Sequence, residues 1–354
     1  MSDTQTPYTV PLKLGTTYAK VVPKLGTSYG TGFLVIHTEA LTRSFGSGKQ
    51  TVEAVRGIDL DVAEGELVAL LGPNGAGKST TLRMLTSLLP PTSGSARVAG
   101  LDVAADPAAV RARIGYIGQK DGAGHNYRVW DELRMQGRFY GLDKRTAADR
   151  GAELMATLDL EGLRMRKVST LSGGQKRRLD IALGLIHSPG LLFLDEPSTG
   201  MDPQNRANLW DHITRLRAER GTTIVLTTHY LEEADSMAER VVVIDHGRII
   251  ADDAPAVLKA DLAGDRITVL VAPPDAGTAR AVAGRFGSEL LERGRGPDVE
   301  LSFRVDAGPP TLPVVLAELV ARGVEVRAAT LRQPTLDDVF LTLTGRSLRE
   351  GADA

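Results

Sequence analysis

The chain has 354 residues, too many for one typical domain and suited to two, and its 42% hydrophobic content is enough to bury a core. Its formal net charge of -2 argues against an electrostatic grip on nucleic acid, which is not expected as a partner. The absence of cysteine excludes disulfides and thiolate metal sites, and no stretch approaches the ~18 apolar residues of a membrane-spanning helix.

Residues 1–33 carry an imperfect repeat, Lys13–Tyr18 and Lys24–Tyr29, without a buried-face periodicity. They read as a flexible N-terminal extension. The abrupt start of organised sequence near Val35 also allows a later translation start. Residues 34–260 alternate short apolar strands with helical patterns. Glu66–Leu71 is a strand that runs into a glycine loop and a helix from Lys78, and Ile114–Gly118, Leu191–Leu194 and Thr223–Thr228 are further strands. This is the rhythm of an α/β domain on a largely parallel sheet, whose ligands sit at the carboxyl ends of the strands. Near Asp261 the rhythm changes. Strands are expected at Arg266–Val271, Glu300–Val305 and Val324–Ala329, and helices near Ala279–Phe286 and Thr311–Ala321, with Pro273-Pro274 and Pro309-Pro310 as turns. Residues 261–345 thus read as a small C-terminal α+β domain without a catalytic cluster, and 346–354 as a tail.

The run Gly72, Pro73, Asn74, Gly75, Ala76, Gly77, Lys78, Ser79, with Thr80 following, fits the phosphate loop G-x-x-x-x-G-K-[ST] between a strand and a helix. Its glycines let backbone N–H groups turn toward phosphate oxygens. Lys78 supplies a charge for the β- and γ-phosphates of ATP, and Ser79 a hydroxyl for Mg²⁺. Helix polarity adds to the attraction. Alone, the loop marks only a P-loop NTPase. Leu191–Leu194 then ends in Asp195, placed to hold Mg²⁺, and Glu196, a candidate general base for an attacking water.

Leu171, Ser172, Gly173, Gly174 and Gln175 match at all five positions the signature motif of ATP-binding cassette (ABC) ATPases, which this region resembles. Physically, Ser172 caps a helix whose apolar face is Leu179, Ala182, Leu183 and Ile186. Lys176, Arg177 and Arg178 crowd the positive end of that helix, an arrangement that suits a docked anion. The resemblance implies further roles. Gln119 would contact Mg²⁺ and the attacking water, His229 the γ-phosphate, and Asp202 would lie on the loop that crosses between subunits. Asp202 before Pro203 is equally a good helix start, with Gly221 as the stop. Phe45 would stack on the adenine, worth ~1–3 kcal/mol by analogy with other base–aromatic stacks, although relatives often carry Tyr there. The likeness spans roughly residues 35–255. The ending Gln333–Gly345 resembles that of daunorubicin-resistance-type subunits, which drive multidrug or polyketide export. Residues Lys120–Tyr127 differ from such exporters, in the region that docks the membrane partner.

The resemblance implies a P-loop NTPase cassette with a helical subdomain, and ATP hydrolysis in a head-to-tail pair. It also implies an integral membrane permease docked near the segment after Gln119, at the cytoplasmic face of the membrane, with drug-like or hydrophobic compounds as export cargo. Rival readings are an importer subunit and a non-transport regulatory ATPase. A DNA-repair head would split the two motifs by a long coiled coil, whereas 94 positions separate Lys78 from Ser172.

Overall fold

A computed structural model describes residues 34–46, 51–120 and 122–345. The expectations for the N-terminal extension and the C-terminal tail lie outside the described residues. The first sheet is antiparallel, with strands β1 (Leu34–Phe45), β2 (Val52–Ala63), β4 (Ser93–Val98) and β5 (Leu101–Asp102) in the order β2-β1-β4-β5. The central sheet holds β3 (Leu67–Leu71), β6 (Ile114–Ile117), β7 (Leu191–Asp195), β8 (Thr223–Thr228), β9 (Arg240–Asp245) and β10 (Arg248–Asp253). Its order is β10-β9-β3-β8-β7-β6, parallel except for β10.

The strands β3 and β7 read as apolar runs because both of their faces are covered. Val68 and Leu70 of β3 pack toward the first sheet with Ile36, Val55 and Phe193. Their neighbours Leu67, Ala69 and Leu71 point the other way, into a core shared with the helices. That helical layer comprises α3 (Val129–Phe139), α4 (Lys144–Thr157), α5 (Gly173–Leu185), α6 (Pro203–Arg220) and α7 (Leu231–Met237), while α1 (Lys78–Leu85) packs under the first sheet. The short α2 (Pro107–Arg113) precedes β6. The sequence alternation hid the first sheet. Its long strands are kinked by register shifts, with Ala40 at φ 45, and a broken ladder blurs the two-residue period.

The rhythm change near Asp261 falls within a helical segment, α8 (Pro255–Leu258) continued by a wide turn over Lys259–Ala263. Beyond it lie β11 (Asp265–Val271), β12 (Ser288–Arg295), β13 (Asp298–Val305) and β14 (Val326–Arg332) in the order β12-β13-β11-β14, with α9 (Ala276–Phe286) and α10 (Gly308–Ala321). Their core is separate from the other two and centres on Ile267, Val282, Phe303 and Leu319. Pro309 and Pro310 open α10 rather than forming a turn before it, as prolines without an N–H are tolerated in a first helical turn. The last helix, α11 (Leu336–Thr344), leaves this module. Its Leu336, Val339 and Phe340 are buried in the central core, beside α7 and the turn at Lys259–Ala263.

Candidate functional site

The loop from Gly72 to Ser79 leaves the carboxyl end of β3 and starts α1, with Gly77 as N-cap at φ 108. A Cβ on Gly77 would stand 2.5 Å from the Ala54 carbonyl oxygen of β2, so glycine is required there on two counts. The first sheet thus presses against the loop, and Gly247 N–H donates to Ala76 O on the same flank. Lys78 is buried, and its Nζ donates to Gly72 O at 2.6 Å and Pro73 O at 3.0 Å. Burial pushes its pKa below the ordinary 10.5, partly opposed by Glu196 and Asp195.

The acidic end of β7 closes on the loop. Ser79 Oγ donates to Asp195 Oδ1 at 2.8 Å, as does Thr227 Oγ1 at 2.7 Å, and Gln119 Nε2 reaches Ser79 Oγ at 3.5 Å. Asp195 is fully buried, and its Oδ2 has no hydrogen-bond partner among the described residues. An unsatisfied buried carboxylate oxygen is costly. Grouped with a hydroxyl and an amide, it forms the oxygen-rich donor set that suits Mg²⁺, so the residues fit that ion.

Glu196 occupies the left-handed region at φ 47, a strained conformation for a residue with a Cβ. Its N–H is held by Thr227, by O at 3.2 Å and Oγ1 at 3.0 Å. The carboxylate accepts from Thr199 Oγ1 at 3.1 Å, and His229 Nδ1 stands 3.4 Å from the same oxygen without forming a hydrogen bond. Thr227 was missed in the sequence. The signal lay in register, since β7 and β8 run parallel with Asp195 opposite Thr227.

Ser172 caps α5 in a reciprocal box: Gln175 N–H donates to Ser172 Oγ at 3.3 Å, and Ser172 N–H donates to Gln175 Oε1 at 3.0 Å. A cavity of about 270 Å³ brings Ser172, Gly173 and Gly174 together with Gln119, Glu196 and Asp202. Asp202 caps α6 by accepting from Asn205 N–H at 2.9 Å, a bond that lowers its pKa, and Gly221 ends the helix. The structural reading of Asp202 therefore holds. Phe45 lies on the first sheet's flank, half-exposed and paired with Val52, with the Arg43 guanidinium 4.8 Å from its ring centroid.

The basic run after Gln175 corrects an expectation. Arg177 is buried and donates to backbone carbonyls, and Arg178 pairs with Asp159 at 3.6 Å. These two arginines are used inside the fold and do not form an anion-facing cluster.

The profile of the family described as ABC transporter matches residues 55–199, from β2 to the turn after Glu196. The daunorubicin/doxorubicin resistance ATP-binding protein DrrA of Streptomyces peucetius is 44% identical over 85% of this chain and 92% of its own. The chain belongs to the ABC transporter family. It is an ATP-binding cassette protein and an ATPase. A daunorubicin resistance ATP-binding protein of Streptomyces coeruleorubidus is 45% identical over 88% of this chain and 95% of its own. The cassette MJ0796, solved as a dimer in a post-hydrolysis state bound to ADP and phosphate, matches with a TM-score of 0.57 at 24% identity. It covers 62% of this chain and 98% of its own, so the two share the cassette fold. No helix among the described residues is long and apolar enough to cross a membrane.

Proposed function

We propose that two copies of this cassette close head to tail around two ATP molecules, and that the cycle drives a separate membrane permease exporting hydrophobic, drug-like compounds. The observation that carries the reading is the division of the site. Lys78, Ser79 and Asp195 form one bonded group, whereas Ser172, Gly173 and Gly174 line a cavity with Gln119 and Glu196 whose lining holds neither Lys78 nor Ser79. In this reading, the glycine loop from Gly72 to Thr80 cradles the phosphates and Lys78 turns from its loop carbonyls to the β- and γ-oxygens. Phe45 stacks on the adenine. Ser79, Asp195 and Gln119 would hold Mg²⁺, which would neutralise charge on the phosphates. Glu196 takes a proton from water as its oxygen attacks the γ-phosphorus and the bond to the bridging oxygen breaks, giving ADP and phosphate. His229 supports the γ-phosphate, and the partner copy's Ser172–Gln175 closes the site from the far side, with Asp202 on the crossing loop.

Export is supported by the drug-resistance relatives, which match 85% and 88% of this chain. Permease docking is supported by an exposed groove of about 370 Å³ just beyond the Gln119 loop, lined by Tyr127, Met135 and Arg138. Phe139 stands 80% exposed on the same helix, α3. Such apolar exposure marks an interaction surface. In this reading the cassette works at the cytoplasmic face of the membrane, held there by the permease.

Glu196→Gln should retain ATP affinity and accumulate an ATP-bound dimer, seen as a doubled mass in light scattering. Wild-type turnover in that variant would refute the assignment of the base. For transport, inverted vesicles carrying the cassette with its permease should accumulate a fluorescent anthracycline only with ATP. Accumulation that is indifferent to Glu196→Gln would reject coupling.

A further inference from the structure

Gln119 sits on a short loop whose two flanks are both bonded to α5. On one side, Arg177 Nη1 donates to Gly118 O at 2.6 Å. On the other, Gly122 N–H donates to Asp180 Oδ1 at 3.0 Å. Arg177 and Asp180 are three residues apart, hence neighbours on one helix face, and both are buried. The same guanidinium also spans Glu196. Its Nε donates to Pro197 O at 2.7 Å and its Nη2 to Asp195 O at 3.3 Å, the carbonyls on either side of that residue. One side chain therefore ties the helix to the loop after β6 and the turn after β7.

The planar fork of arginine spreads its donors over three nitrogens and so reaches three separated carbonyls, whereas the donors of a lysine all radiate from one nitrogen. Ser172 starts the same helix five residues earlier, under two turns away, and its reciprocal cap makes that start rigid. A displacement of Ser172–Gln175 must therefore be felt at Gly118 and at the backbone around Glu196.

We propose that Arg177 and Asp180 are positioning residues that clamp the Gln119 loop and the Glu196 turn to α5. Engagement of Ser172–Gln175 with one nucleotide then sets the hydrolytic groups that face the other. The inference rests on the two-copy reading above.

The chain lacks cysteine, so a fluorophore on Lys120→Cys, an exposed position beside Gln119, reports the loop directly. With Arg177 in place, ATP should change the emission of this probe. Arg177→Gln should abolish that change and lower kcat ~10-fold while KM for ATP stays within about threefold, a loss confined to the transition state. Asp180→Asn, which keeps an oxygen acceptor for Gly122 N–H, should retain the response, and Asp180→Ala should lose it. If Arg177→Gln folds poorly, Arg177→Lys, which keeps the charge without the fork, should show the same split in milder form. A lower melting temperature with unchanged kcat and probe response would overturn the clamp and leave Arg177 a fold anchor. ATP-dependent dimerisation, measured in parallel, separates the two claims. Failure of Glu196→Gln to dimerise with Arg177 intact defeats the two-copy reading and the clamp together. Normal dimers whose probe ignores Arg177 defeat the clamp alone.

Discussion

At the scale of single residues, the phosphate loop concentrates backbone strain and burial. Gly77→Ala would drive a methyl group to 2.5 Å from the Ala54 carbonyl in a left-handed conformation. Calorimetry should show a loss of about 2–3 kcal/mol. Gly75, at φ 78 with nothing within 4 Å of a Cβ, should cost only about 1 kcal/mol as alanine. Equal losses would mean that the contact with β2 carries no weight. Lys78 gives a pH signature. Its folded pKa lies below 10.5, so the unfolded chain binds the proton more readily in the interval below 10.5. Stability from this group therefore rises as pH climbs through the lowered folded value toward 10.5. Denaturant midpoints should move in favour of wild type over Lys78→Met across that interval. A constant difference would show that burial does not perturb the ammonium.

At the scale of elements, four of the parallel strands, β3, β6, β7 and β8, were legible because each is a short, mostly apolar run followed by a functional residue, whereas β9 was not read from the sequence. Leu191–Asp195 and Thr223–Thr228 fall within a residue of their sequence reading. The first sheet was not legible, since bulges at Thr38 and Leu41 break its alternation. Nor was the destination of α11. Its apolar residues announce a helix face, but only the fold shows that Phe340 completes the central core beside α7, which begins two residues after His229. Phe340→Ala should therefore cost about 3–5 kcal/mol in the unfolding of the cassette. Leu341→Ala, on the exposed side, should fall within about 0.5 kcal/mol of wild type. Equal stability of the two variants would mark α11 as an appendage. Arg177 was misread for a related reason: a basic run at a helix start suggests an anion, whereas its buried hydrogen bonds depend on loops far away in sequence.

At the scale of the whole molecule, the order of the motifs identified the family. The proposed two-copy site is the least visible feature in the sequence, because nothing in one chain records what faces Gly173. The structure leaves that position open, with nothing within 4 Å of an added Cβ. Gly173→Asp should therefore be harmless within its own chain and obstruct a nucleotide held by a partner's Lys78. The most direct test mixes two inactive proteins, Lys78→Ala and Gly173→Asp. A mixed dimer holds one intact site, built from the loop of the second variant and the α5 start of the first. With half of the dimers mixed, the intact site supplies at most roughly a quarter of wild-type ATPase activity, and up to ~10-fold less because the α5 start of the chain that lends its loop faces the dead site. A mixture no more active than the sum of its parts would contradict a site shared between two chains.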